Sequence, residues 1–189
     1  MNNKIGLATN VVSAGVAAGV AAGALALGAV SLGKWLAGKG QGNSVDYFGG
    51  SGAKLTFIGQ AGFIYEYKSV KLLIDPWFYG AFTLSWYPYP NNRHMLAEVL
   101  EPADGKPYTH MFISHLHQDH WDPMVLKDMP KDIHVVVAAY RSDGIGLEME
   151  ALGFTHVTRV KHQKSITLGR DGEVTLTMYM DTSFKEDSS

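Results

Sequence analysis

Between Ser114 and Asp122 the chain reads Ser-His-Leu-His-Gln-Asp-His-Trp-Asp, and four of these side chains, His115, His117, Asp119 and His120, are potential metal ligands within six positions. They follow directly on the apolar run His110-Met111-Phe112-Ile113, which reads as a strand. His115 and His117 alternate as strand neighbours do, so both imidazoles are expected to project from one side of an extended backbone. Asp119 and His120 fall where the chain leaves the strand and can turn toward a second point nearby. The pattern accommodates one ion, and two adjacent ions would use all four ligands. The competing explanation, histidines as plain core or surface filling, needs a separate polar partner for each ring beside a buried strand, which is costly. Clustering at this spacing favours metal binding.

Composition limits what surrounds this motif. The chain has 189 residues, 46% of them hydrophobic, and a formal charge of -2, which fits one globular domain with an appendage. Neither sign of charge dominates, so there is no electrostatic footprint for nucleic acid. With no cysteine, disulfides and thiolate metal sites are excluded, and every protein ligand must offer nitrogen or oxygen.

The elements that must position the motif can be read from apolar runs and turn residues. Residues 55–67 read as two short strands broken at glycine, and residues 70–78 as a third that contains Asp75-Pro76. Residues 92–100 suit a short helix, and residues 108–114 the strand that delivers the motif. Residues 123–129 suit another short helix, with Asp122 as its N-cap and Pro123 at its first position. A continuous apolar strand over 133–139, a helix over 143–152 closed by Gly153 and a strand over 154–160 follow. Two last strands, 165–168 and 173–180, flank the turn Arg170-Asp171-Gly172. This order suits a sheet layered with helices.

His115-Leu116-His117-Gln118-Asp119-His120 at a strand end resembles the His-X-His-X-Asp-His signature of the metallo-β-lactamase-fold metal-dependent hydrolases. The opening strand meander and the Asp75-Pro76 turn are similar to the start of that fold. The branch most resembled contains ascorbate-phosphate lactonases, N-acylphosphatidylethanolamine phospholipase D and the metal-binding part of sialic-acid hydroxylases. The last of these also carry a Rieske cluster, which a chain without cysteine cannot hold. The resemblance implies an α/β (α+β) fold, the N-terminal half of an αββα sandwich covering residues 54–189, preceded by an apolar helix.

It also implies a dinuclear site, with three histidines for one ion, an Asp-His pair for the other and a bridging carboxylate supplied later in the chain. Where the family places its third histidine, after a later strand, this chain has Asp181, which is taken as the fifth ligand; His162 competes but precedes the last hairpin. Oxygen in place of nitrogen shifts preference toward Mn or Fe relative to Zn, the ion otherwise expected. No later bridging carboxylate or final histidine precedes Ser189, so the chain is expected to be a C-terminally incomplete domain and a poor hydrolase alone, with an uncovered sheet face that promotes self-association. The implied activity is hydrolysis of an ester, lactone, amide or phosphodiester in a small-molecule or lipid-like substrate, with Asp119 orienting the water and Asp75 supporting the site. The alternative is a membrane-tethered metal-binding or interaction module without turnover.

Residues 1–40 form a separate object. From Ile5 to Gly33 there is no charged residue, and this length exceeds the ~20 apolar residues that span a bilayer. Gly15, Gly19 and Gly23 would line one small-residue helix face. A membrane helix is the expectation, with a cleaved secretory signal or a nonspecific Ala/Gly tail as the other readings. Residues 41–53 read as a linker. The aromatic residues of 78–90 suit either a substrate-facing or membrane-touching wall beside the site, or a loop folded onto the core.

Overall fold

The computed structural model describes residues 11–15, 44–45 and 52–180. The strands are β1 (Val11–Gly15), β2 (Ser44–Val45), β3 (Lys54–Gly59), β4 (Gly62–Tyr67), β5 (Val70–Ile74), β6 (His110–Ile113), β7 (His134–Ala138), β8 (His156–Val160), β9 (Ser165–Leu168) and β10 (Val174–Tyr179). Three helices accompany them: α1 (Leu96–Leu100), entered through a 3-10 turn at Arg93–Met95, α2 (Pro123–Leu126) and α3 (Gly144–Ala151). Among the described residues, β2 to β8 form one seven-stranded sheet in chain order, and β1, β10 and β9 form a second.

The seven-stranded sheet changes character along its width. The β2–β5 meander is antiparallel, whereas β5 to β8 are all parallel. Parallel strands are covered on both faces, which explains why β6 and β7 read as continuous apolar runs rather than alternating ones. On one face Met111, Ile113, Val135 and Val137 pack with Val99, Leu126, Ile145 and Met149 from the helical layer. On the other, Leu72, Phe112, Val136 and Ala138 meet Leu168, Val174, Leu176 and Met178 of the β9–β10 hairpin. The protein is therefore a mixed α/β fold layered helix, sheet, sheet, as expected for one half of an αββα sandwich.

The element order anticipated from sequence holds from β3 onward. Asp122 caps α2 by accepting hydrogen bonds from the Met124 and Val125 amides, with Pro123 at the first position. Gly153 closes α3 at φ +92, a conformation that strains any residue with a Cβ.

The N-terminal expectation fares differently. Val11–Gly15 pairs in parallel with β10, so these five residues do not belong to a continuous helix over 5–33. The β-branched Val11 and Val12 suit a strand edge, and Gly15 weakens a helix by about 1 kcal/mol. The rest of the apolar segment lies outside the described residues; among those described, no helix is long and apolar enough to cross a membrane. Ser44–Val45, inside the stretch read as a linker, adds a short strand against β3.

One feature of the parallel region was not read from sequence. His110, His134 and His156 occupy the same register on β6, β7 and β8. Burial, reinforced by the neighbouring His134, pushes the His110 pKa down to about 4, and burial lowers that of His134 as well. A histidine depressed when folded from ~6.5 when unfolded contributes stability that is complete above the unfolded value and lost as pH falls toward the folded one. Metal-free protein is thus expected to lose roughly 3 kcal/mol through His110 between pH 6.5 and 4. Urea midpoints measured across that range should fall, and His110→Gln should flatten the decline; a slope unchanged by the substitution would refute it.

Candidate metal centre

The motif lies just beyond the C-terminal end of β6, where parallel strands of an α/β sheet present their functional loops. β6 ends at Ile113, so His115 and His117 lie beyond the strand on which they were expected, while the turn expected at Asp119 and His120 is present. The His120 and Trp121 amides both donate to the His117 carbonyl, at 2.9 and 2.8 Å, which folds residues 117–121 into a tight turn. That turn carries His120 back toward His115. His115 Nε2 and His117 Nδ1 are 3.0 Å apart, and the His115 and His120 ring centres are 4.2 Å apart. His120 Nε2 lies 3.7 Å from Asp119 Oδ2.

A relay of hydrogen bonds behind the cluster fixes which nitrogens face forward. Asp75, 4% exposed at the end of β5, accepts from the Ser114 amide at 2.8 Å and the Ser114 hydroxyl at 2.7 Å. Its Oδ2 also accepts from His120 Nδ1 at 2.8 Å. With its proton given to Asp75, Ser114 Oγ is left to accept from His115 Nδ1 at 2.9 Å. His115 and His120 therefore both carry their lone pairs on Nε2. Carboxylate or hydroxyl support of the far ring nitrogen is the arrangement metal-binding histidines use.

Electrostatics favour the neutral, lone-pair-bearing ring at His115, whereas at His120 they favour the proton that a bound cation would displace. Burial, then the nearby His120 and His117, lowers the His115 pKa to about 4, so this ring is neutral and able to donate a lone pair at pH 7. Burial opposes charge on His120, but its hydrogen bond to Asp75 and the charges of Asp75 and Asp119 outweigh it and raise the pKa.

The donor set fits a divalent cation. Two ligand nitrogens on one ion at ~2.0–2.1 Å stand about 2.9–3.4 Å apart for angles from square to tetrahedral, which brackets the His115–His117 separation; without an ion the same pair makes an N–H···N bond. Asp119 is 8% exposed, and its Oδ1 is a buried oxygen with no hydrogen-bond partner. Such an orphan acceptor calls for a cation or a water. The candidate ligands come in pairs: among the described residues, no three His, Cys, Asp or Glu side chains are grouped so as to hold a metal ion. Asp181 lies outside the described residues. No hydrogen bond or ring contact among the described residues joins His162 to the motif; its Nδ1 accepts from the Met180 amide at 3.0 Å, at the open end of the β9–β10 hairpin.

The aromatic loop divides between its two expected roles. Trp77, Phe78 and Ala81 are buried, whereas Phe82, Leu84, Trp86, Tyr87 and Tyr89 are exposed. Phe82 stands edge-on to His117 at 6.4 Å, so the exposed half borders the motif.

Asp75→Asn tests the support. The replacement keeps shape but removes the charge facing His120, and loss of such a partner costs about 10–100-fold in metal affinity. That drop should appear in Zn2+ titrations while the far-ultraviolet spectrum is unchanged; unaltered affinity would show that the Asp75–His120 contact is only structural.

No protein-family model matches the chain. A Mycolicibacterium smegmatis protein provisionally named a Rieske 2Fe-2S iron-sulfur protein is 35% identical over 102 residues, covering 53% of this chain and 19% of that protein. A Mycobacterium tuberculosis protein with the same provisional name is 31% identical over 102 residues, with the same coverage. The chain thus spans about a fifth of the length of the curated relatives it matches. Among solved structures, CmlA, a diiron β-hydroxylase from Streptomyces venezuelae, is 24% identical with a TM-score of 0.45, covering 62% of this chain and 22% of that one. A possible metal-dependent hydrolase from Veillonella parvula is 20% identical with a TM-score of 0.43, covering 61% and 44%. At such scores the structural likenesses carry no argument about chemistry.

Proposed function

We propose that this chain is the metal-binding part of a metallo-β-lactamase-like hydrolase, in which His115, His117, Asp119 and His120 hold one or two divalent ions, Zn or, with an oxygen-rich shell, Mn or Fe. The observation that carries the reading is the support of His115 and His120 through Nδ1, which leaves both Nε2 atoms free of that support, next to Asp119, whose Oδ2 is 3.7 Å from His120 Nε2 and whose Oδ1 is buried without a partner. A bound divalent cation supplies Lewis-acid polarisation of a carbonyl or phosphoryl group and brings the pKa of water to about 7. Asp119 Oδ1 orients the attacking water and accepts its proton. Asp75 holds His120 in one tautomer, and Ser114 does the same for His115, so neither ring must reorganise during reaction. The exposed edge of Phe82 beside His117 favours a substrate with an apolar part, bound through an ester, lactone, amide or phosphodiester.

The incomplete shells favour a second reading, a metal-binding module without turnover, because hydrolysis needs a fixed ion with an open position. The curated relatives are named for an iron-sulfur cluster, and this chain, with no cysteine, supplies no thiolate to one. The two readings separate in one assay of the metal-loaded chain against p-nitrophenyl esters, lactones and bis-p-nitrophenyl phosphate. The hydrolase reading expects turnover, slow in this chain alone, that vanishes in Asp119→Ala. Stoichiometric metal without turnover supports the module, and no metal uptake sinks both.

A further inference from the structure

We propose that His110, His134 and His156 form a second site for a borderline divalent cation such as Zn2+, Ni2+ or Cu2+, at the opposite end of the parallel strands from the Ser114–Asp122 motif. Parallel pairing sets His110 opposite His134 and His134 opposite His156. Partners in register on parallel strands share one face of the sheet at a strand spacing of about 4.8 Å. The His110 and His134 ring centres are 5.2 Å apart with planes 36° from parallel. Two imidazoles whose nitrogens meet one ion at ~2.0–2.1 Å and a tetrahedral angle have centres separated by roughly this distance.

The rings are also held as ligands are held. Thr109 Oγ1 gives its proton to the Lys71 carbonyl at 3.2 Å, so at 2.8 Å it accepts from His110 Nδ1 and leaves the lone pair of His110 on Nε2. His134 Nε2 lies 2.7 Å from Thr158 Oγ1, and donating there frees its Nδ1. Each ring therefore has one nitrogen anchored by a threonine hydroxyl and the other available, the support that metal-bound histidines have. Burial keeps His110 and His134 neutral at pH 7. His156 is exposed on β8, the terminal strand of the sheet, where a rotamer change completes a three-nitrogen set and solvent supplies the remaining position. An all-imidazole set selects Zn, Ni or Cu over Mg or Ca. The three side chains do not converge without an ion; the exposed His156 is the one that moves.

The site is independent of the motif and is tested apart from it. Zn2+ is titrated calorimetrically into the full chain carrying His115→Ala and His117→Ala. One saturable ion per chain is expected. Adding His156→Gln, an exposed change that leaves the core intact, should weaken it at least about tenfold, as should His134→Gln, whereas His162→Gln should not. In the unsubstituted chain, Ni2+ should broaden the ring signals of His134 and His156 in histidine-detected 15N spectra. Absence of saturable binding in the motif-deficient chain, or affinity unmoved by His156→Gln and His134→Gln, overturns the proposal, as does loss of binding on His162→Gln alone.

Discussion

Full-length protein bearing His115→Ala and His117→Ala should lose more than about 100-fold in affinity for a divalent metal at the motif, given that even an outer-shell partner is worth 10–100-fold. The two imidazoles stand 3.0 Å apart through Nε2 and Nδ1, one ion's width of ligand spacing. Removing both leaves Asp119 and His120, with Oδ2 and Nε2 3.7 Å apart, as the remaining pair. His117 is exposed and His115 half-buried, so the substitutions create no large core cavity and the fold should survive. Elemental analysis after dialysis, with the apo spectrum as a folding control, checks the result. Any ion at the histidine row would persist in both, so with both proteins saturated before dialysis the parent should hold at least one equivalent more than the variant. Equal metal in both would remove the motif from consideration and the proposed hydrolysis with it.

The largest stability effect is expected at a residue that touches no metal ligand's side chain. Asp122 is 3% exposed and serves two elements at once. Its Oδ1 accepts from the Met124 and Val125 amides at the start of α2, at 3.1 and 3.4 Å. Its Oδ2 accepts from the Phe78 and Tyr79 amides, each at 2.9 Å, on the loop after β5. Loss of the cap costs about 0.5–2 kcal/mol, and stranding a buried amide about 1–3 kcal/mol. Asp122→Ala should therefore destabilise the domain by roughly 3–5 kcal/mol. Because the Phe78–Tyr79 segment leads into the loop that places Phe82 beside His117, the variant should also loosen that side of the motif. Urea unfolding measures the first effect; a midpoint within error of the parent would show that the bridge between loop and helix is not stabilising.

Much of the fold was legible because its signals are local. Apolar runs bounded by turn residues located β3 to β10, and Asp122-Pro123 marked the start of α2 before any contact was known. The four clustered candidate ligands were equally visible, since residues within six positions need no fold to be neighbours. Local reasoning fell short on where the strand stops: His115 and His117 were expected as strand neighbours, yet β6 ends at Ile113, while the turn expected at Asp119 and His120 is made by the amides that donate to the His117 carbonyl. At the N-terminus, lack of charge suggested a helix from Ile5 to Gly33, yet Val11–Gly15 lies in a strand because the open edge of β10 supplies its partners.

The amino-acid sequence determined which side chains are candidate ligands, the exclusion of thiolates and the order of the elements, all properties of composition and short-range pattern. Tertiary structure decided which distant groups complete them. Asp75 meets His120 across 45 positions because β5 and β6 run parallel and end together. Asp122 reaches the Phe78 and Tyr79 amides across 44 and 43. The row of His110, His134 and His156 exists only through the register of three parallel strands. Parallel register is fixed by packing on both faces of the sheet, not by any turn, so no short-range pattern in the chain announces it.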